Sequence, residues 1–360
     1  MTIIRQIANP SLKGHKLLAI TPWDPPQDFL NNIHTRFPDL QVVFHQGGFV
    51  LHDWNEIPED SRRDVTLLVT GVCLPPLEQA GNLQFVQIIS AGANLILDKP
   101  VFKNTNIPFC TANGVHGPQI SEWVIGTFLA YKKKLPQYLE FQRDAHWQRL
   151  DEPDDTVGQR VGILGYGSIG RQVARLCNAM GMDVHAYTLH PRNTPESRRD
   201  DAYTPPGMGD PEGLFPSKWF SGGSKKELHE FLGSDLDLLV LSTPLTKSTI
   251  GLISQEEFKV LGKKKTFVSN ISRGQVINTD DFIEALNNEV IRGAAIDVTD
   301  PEPLPDGHEL WKAKNLIITP HVSGATTAYG KRLFAILEAN LERFSEGKKL
   351  MNQVSRKDGY

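Results

Sequence analysis

GILGYGSIGRQVARL, residues 162–176, is the stretch on which the fold of this chain turns. It places glycines at 165, 167 and 170, and a bare G-x-G-x-x-G is weak evidence alone. Here it follows an apolar, strand-like run, Val161–Leu164. It also opens a helical pattern whose apolar positions are Ile169, Val173, Leu176 and Met180. In that setting the spacing has a physical use. The glycines let the backbone turn tightly and approach a pyrophosphate, and the helix N-terminus stabilises the negative charge. A tight strand–helix turn that holds no ligand has the same spacing, so the surrounding elements must decide.

A regular alternation extends from this turn in both directions. Upstream, HKLLAI, LQVVF, VTLLVTGV, LQFVQIIS and IPFCTA read as short strands separated by helical or loop segments, a pattern that argues for an α/β domain with a parallel sheet. From Gly117 to about Lys134 the period becomes helical, with Ile120, Val124, Phe128 and Tyr131 on one stripe and Pro136 as a limit. Downstream, DVHAYT, DLLVLSTP, TFVSNIS, GAAIDV and NLIITP continue a second α/β series. A last helical pattern, about Thr326 to Ser345, carries Leu333, Leu337 and Leu341 and is expected to pack back on the first domain. The stretch between Thr188 and Leu228, with six prolines and five glycines, reads as a long loop, and a loop of that length is usually functional or disordered.

The chain has 360 residues, more than one ordinary core accommodates, so two domains are expected. Lys plus Arg (38) against Asp plus Glu (42) leaves a net charge of −4, without the basic excess that binding a phosphate backbone requires. The runs Lys132–Lys134 and Lys263–Lys265 read as a solvated helix end and a polar lead-in to a strand. The three cysteines, Cys73, Cys110 and Cys177, lack metal-ligand spacing, sit in apolar contexts and read as reduced buried thiols. No metal site is expected. No apolar run reaches transmembrane length, and MTIIRQIANP lacks a signal-peptide core, so no membrane partner is expected and a cytoplasmic setting is. The sequon Asn270-Ile271-Ser272 falls where a glycan would obstruct the site proposed below.

For a dinucleotide with a free ribose 2′-hydroxyl, the strand after the glycine turn should end in an acid. DVHAYT ends instead in Thr188, followed by Arg192, with Arg198 and Arg199 nearby, while Asp183 sits at the wrong end. An arginine can pair bidentately with a 2′-phosphate, so the expected cofactor is NADPH, with NADH possible. The alternative is that these arginines are solvated loop residues.

Three further strands end in chemistry-bearing residues: TFVSNISRG in Arg273, GAAIDVTDPEPLP in Asp297, Asp300 and Glu302, and NLIITPH in His321. Ligands in open α/β sheets bind outside the carboxyl ends of the strands. Taken with STPLT, NISRGQVIN, GAAIDVTDPEPLP and TPHVSG in that order, and with ISAGAN and NGVHGPQISEWVIG in the first domain, the chain resembles the D-isomer-specific 2-hydroxyacid dehydrogenase family. The resemblance is to a fungal-type, glyoxylate/hydroxypyruvate reductase-like branch. It implies an α/β fold of two doubly wound parallel-sheet domains. A Rossmann cofactor domain (126–324, with a long insert at about 189–227) is inserted in a discontinuous flavodoxin-like substrate domain (1–125 and 325–360). It also implies a homodimer, and reduction of a 2-oxo acid to the D-2-hydroxy acid by a nicotinamide cofactor.

The same resemblance marks Arg273, Glu302 and His321 as the catalytic trio. It puts Ala91, Gly92 and Ala93 at the substrate carboxylate. At the cofactor it places Gly165, Tyr166, Gly167, Ser168, Ile169, Gly170, Thr188, Arg192, Thr243, Pro244, Thr249, Ile271, Ser272, Asp297 and Gly324, with Asp297 as a support as well. The chemistry agrees: an always-charged guanidinium holds a carboxylate and polarises the adjacent carbonyl, an imidazolium donates the proton, and a carboxylate favours and orients that imidazolium. Individually, Arg273 serves equally as a helix-cap partner and Glu302 as a solvated turn residue.

The pair Thr299-Asp300 departs from the family's aromatic–acid pattern and makes Asp300 a rival to Glu302. Trp147 occupies a region from which some family members send an aromatic into a neighbouring subunit, although packing within its own subunit is open too. The long insert reads either as a lid on the adenosine end of the cofactor or as surface decoration. A formate dehydrogenase pairs its histidine with glutamine, which Glu302 argues against. A dinucleotide-sensing corepressor or scaffold of the same fold, without turnover, is the alternative from another class.

Overall fold

The computed structural model describes residues 8–47 and 53–356. Most of the N-terminal stretch read for a signal peptide therefore lies outside the described residues. The chain clusters into two compact units, one of residues 1–115, 201–205 and 326–360, the other of residues 116–200 and 206–325.

In the first unit, five strands form a wholly parallel sheet: β1 (Lys16–Thr21), β2 (Gln41–Gln46), β3 (Leu67–Thr70), β4 (Phe85–Ile88) and β5 (Phe109–Cys110). Their order is β2-β1-β3-β4-β5. Side chains alternate across a strand, so each strand supplies both faces. Leu17, Ala19, Leu67, Val69 and Phe85 enter one cluster, and Leu18, Ile20, Leu68, Val86 and Ile88 the other. The two-sided burial explains the continuous apolar runs in the sequence. The helix Tyr329–Ser345 closes the first face, burying Leu333, Phe334, Leu337, Leu341 and Phe344. Each such side chain contributes about 1.5–3 kcal/mol when fully removed from water.

The second unit holds seven parallel strands: β6 (Arg160–Leu164), β7 (Asp183–Thr188), β8 (Pro216–Ser221), β9 (Leu238–Leu241), β10 (Phe267–Asn270), β11 (Gly293–Ile296) and β12 (Leu316–Ile318). Their order is β12-β11-β10-β9-β6-β7-β8. The direction of winding reverses between β6 and β9, the position where a doubly wound sheet opens a crevice for a ligand. The two faces again divide by parity, with Val161, Ile163, Val184 and Val240 on one and Leu164, Tyr187, Leu239 and Leu241 on the other.

Several expectations shift. A domain boundary at 125/126 would cut the helix Gly117–Lys132. Its Ile120, Val124 and Phe128 pack with Val161, Ile163 and Val173, which draws the whole helix into the second unit. The insert is not one loop: it contains the short helix Pro195–Arg198 and the edge strand β8. Proline is tolerated at the first position of an edge strand, so Pro216 hid β8 by reading as a breaker. Lys132 is not solvated: it is buried, and its ammonium donates to Asp155 O at 3.0 Å and to Gln159 Oε1 at 2.7 Å. Trp147 does not pack against the rest of the described chain, being 96% exposed. The three cysteines are free and buried, and burial pushes the Cys73 thiol up to about 11.

Candidate active site

The glycine turn is built as its spacing requires. Gly165 has φ +100°, and a Cβ there would lie 2.8 Å from the Ser242 backbone carbonyl, so the turn presses directly on the exit of β9. A Cβ at Gly170 would meet Gly165 O at 2.4 Å, whereas one at Gly167 would meet nothing within 4 Å. The first and third glycines thus serve close packing. The middle one leaves open backbone at the start of the 12-residue helix Ser168–Ala179. That combination suits an anionic pyrophosphate, and a nicotinamide dinucleotide fits the residues present.

The neighbouring residues at the cofactor end are largely committed to local structure. Ile169 packs against the core of this unit. The Tyr166 hydroxyl donates to Asp210 Oδ2 at 2.7 Å, and burial followed by the Asp210 charge pushes its ionisation far up. Thr188 Oγ1 donates to His190 O at 2.7 Å. Arg192 Nη1 donates to Ser197 O, Arg198 Nε donates to Arg192 O, and Arg199 pairs with Glu212 at 2.7 Å. Asp183 is held at the base of β7 by Arg160 at 2.8 Å. Thr249 Oγ1 donates to Pro244 O at 2.8 Å and accepts from Thr246 N at 2.7 Å, fixing the loop that also carries Thr243.

Sequence reading missed Asp210, which accepts from Leu214 N, Phe215 N and Tyr166 and so organises the insert. It also missed Arg171, Gln172 and Arg175. These side chains bond to Asp210 O, to Gly209 N and to Gly209 O respectively. Neither periodicity nor turn chemistry signals such long-range bonds.

Asp297 follows β11 and is buried. Its Oδ1 accepts from Thr319 Oγ1 at 2.5 Å and from Val322 N at 2.9 Å, and its Oδ2 accepts from Ser323 N at 2.8 Å. Its backbone carbonyl accepts from His321 N at 2.8 Å. One carboxylate therefore shapes the whole turn after β12, in which His321 takes the left-handed φ of +54°. The imidazole Nδ1 lies 2.6 Å from Glu302 Oε1. A carboxylate can only accept, so Nδ1 carries the hydrogen, and both side chains remain partly exposed. Glu302, not Asp300, faces the ring. Asp300 instead lines a polar cavity of about 360 Å³ with Asn278, Thr279, Asp280 and His308.

Arg273 leaves β10 with an exposed side chain whose Nη1 donates to Ser272 O at 2.6 Å. Its loop is pinned on both sides. Asn270 Nδ2 donates to Arg273 O at 3.1 Å, and Asn270 Oδ1 accepts from Ser272 N and Oγ. Ile271, between them, is buried. A Cβ at Gly274 would stand 2.0 Å from the Thr299 backbone, so only glycine lets this loop lie on the one that leads to Glu302. Asn270 is 1% exposed, which leaves its sequon no room for a glycan in the folded chain.

In the first unit, Ser90 Oγ donates to Gly92 O at 2.7 Å, and Ala93 is buried. A separate trio, His229, Glu256 and Glu257, brings possible metal-ligand atoms within 4.8 Å of one another, but Lys225 already pairs with Glu256 at 2.6 Å. No helix among the described residues is long and apolar enough to cross a membrane.

This combination of reversed parallel sheet, glycine turn and strand-end residues defines a nucleotide-dependent α/β fold, and comparison with known proteins specifies it. Residues 125–206 and 217–323 match the D-isomer specific 2-hydroxyacid dehydrogenase NAD binding domain, the break at 207–216 falling in the insert. The chain is 30% identical over 272 residues to a glyoxylate reductase/hydroxypyruvate reductase of Mus musculus, covering 73% of this chain and 74% of that protein. It is 29% identical over 279 residues to a hydroxypyruvate reductase of Blautia hydrogenotrophica, covering 75% and 78%. Among solved structures, an NADPH-dependent glyoxylate/hydroxypyruvate reductase of Sinorhizobium meliloti in complex with NADP and sulfate superimposes with a TM-score of 0.68. That match has 24% identity and covers 96% of this chain and 100% of that one. The chain belongs to the D-isomer specific 2-hydroxyacid dehydrogenase family.

Proposed function

We propose that the protein reduces a small 2-oxo acid, of the glyoxylate or hydroxypyruvate class, to the D-2-hydroxy acid with NADPH. The observation that carries this reading is the 2.6 Å contact between His321 Nδ1 and Glu302 Oε1 on a turn shaped by Asp297. Glu302 fixes the orientation of the ring and keeps the hydrogen on Nδ1, leaving Nε2 of the imidazolium to donate a proton to the oxygen that becomes the hydroxyl. Arg273 holds the substrate carboxylate and polarises the adjacent carbonyl. The bound nicotinamide supplies the hydride to the carbonyl carbon. The reductase activities for which the mouse and Blautia relatives are named support the substrate class.

The absence of an acid at the end of β7, and Arg192 beyond Thr188, support NADPH over NADH. Exposed Leu135, Leu139 and Trp147, at 49%, 53% and 96%, support a homodimer that covers them. The buried thiols support a reducing, cytoplasmic setting.

The test is loss of nicotinamide absorbance with a panel of 2-oxo acids and both cofactors. Turnover favouring small 2-oxo acids and NADPH is expected. A clear NADH preference would overturn the cofactor assignment. Cofactor binding without turnover on any 2-oxo acid would overturn the enzyme and favour a dinucleotide-sensing scaffold.

A further inference from the structure

Asp297 secures one side of the His321 turn, and a different pair of side chains secures the other. His116 is the N-cap residue of the helix Gly117–Lys132. Its ring closely approaches Gly324: a Cβ there would stand 3.2 Å from His116 Nδ1 and 3.3 Å from Cε1. Gln119, buried one turn into the same helix, donates from Nε2 to Gly324 O at 3.2 Å and lies 3.2 Å from His116 Nδ1. A carbonyl oxygen only accepts, so the amide must present its NH₂ group to Gly324. That group's second hydrogen then points at His116 Nδ1, which must be the bare nitrogen of a neutral ring protonated at Nε2. Bond chemistry thus fixes a tautomer, and a protonated Nδ1 would face a donor.

We infer that His116 and Gln119 are positioning residues for the reduction, clamping Gly324 so that the turn beside it holds the His321 ring against Glu302. The inference rests on the proposed role of His321. His321 has a left-handed backbone, and such a conformation persists only where its surroundings over-determine it. Asp297 grips Thr319, Val322 and Ser323, and the His116–Gln119 pair grips the next residue. Displacing a reacting group by a fraction of an ångström is enough to slow a reaction without touching substrate or cofactor.

Gln119→Leu and His116→Leu should each lower kcat by about tenfold with the cofactor KM within twofold of wild type. His116→Asn, whose side-chain oxygen can accept the Gln119 hydrogen, should recover most of that loss. The double Leu variant should be no slower than the slower single one, as expected for two parts of one clamp. Wild-type kcat in both Leu variants, or an Asn variant as impaired as His116→Leu, would contradict the inference.

A readout independent of turnover is the imidazole ¹⁵N spectrum of histidine-labelled protein. His116 should appear as the Nε2-protonated neutral tautomer, and the Gln119→Leu change should move both the His116 and His321 signals. An Nδ1-protonated His116, or a His321 signal unmoved by Gln119→Leu, would refute the clamp. If wild-type protein turns over no 2-oxo acid, the proposed function falls by itself, while these spectra still decide whether the clamp exists.

Discussion

The seven-stranded sheet has two halves, divided where the order reverses between β6 and β9, and they solve the same problem differently. On the β9–β12 side, short turns place Arg273, Glu302 and His321 within a few residues of strand ends. Each turn is fixed locally, by Asn270 within its own loop or by Asp297 across one strand pair. On the β7–β8 side the chain runs out through the insert and is fastened at long range. Asp210 grips Tyr166 of the glycine turn, and Arg171 pairs with Asp200 at 3.3 Å. Residues 201–205 are grouped with the first unit, where Tyr203 packs near Tyr329 and Val115. The proposed catalytic residues sit on the locally braced half, and the insert on the other.

The comparison can be broken most forcefully at Asp297. Asp297→Ala removes three side-chain hydrogen bonds from a buried carboxylate and leaves their donors without it, at about 1–3 kcal/mol each. Melting should shift down sharply, and kcat/KM should fall by about 100-fold or more. If melting and turnover both stayed near wild type, local bracing of the catalytic half would be the wrong description. Next comes the choice between acids. Glu302→Gln should cost about 10- to 100-fold in kcat/KM, and Asp300→Asn no more than a few-fold. The reverse ranking would reassign the partner of His321.

Effects on the other half should be smaller and of a different kind. Asp210→Ala frees the amides of Leu214 and Phe215 and the Tyr166 hydroxyl. Its melting point should fall and the cofactor KM rise a few-fold, with kcat nearly unchanged. A loss confined to kcat would tie the insert to chemistry instead. The smallest effect concerns His185 in β7, which burial, with help from Arg160, holds down at about 4. Because an unfolded histidine protonates near pH ~6.5, its contribution to stability is complete above that pH and is lost as pH falls towards 4. His185→Gln should flatten the decline of stability with acidification, as followed by denaturant melts from about pH 7 to about pH 4.5. An unchanged slope would assign the acid sensitivity elsewhere.

The same asymmetry explains what could be read from the sequence. Apolar strands bounded by turns, the glycine spacing and the residues at strand ends are all local signals, and they yield eleven of the twelve strands among the described residues. The partner of His321 is implied only by the family resemblance, with Asp300 as a rival, and the structure sets Glu302 against the ring. β8 escaped because an edge strand opening on Pro216 has only partial burial and no alternating pattern. The burial of Lys132 and the bonds of Arg171 and Gln172 escaped because they join residues far apart in sequence. Trp147 shows the limit of composition alone. A large aromatic suggests burial, yet this one is held away from its own core.

The central claim is that the His321 imidazole, oriented by Glu302, delivers the proton. Its most direct test is kcat/KM for glyoxylate reduction by His321→Ala, with melting measured on the same preparation. A drop of about 100- to 10,000-fold with the melting transition intact is the predicted result. A folded variant that turns over within a few-fold of wild type would contradict the account.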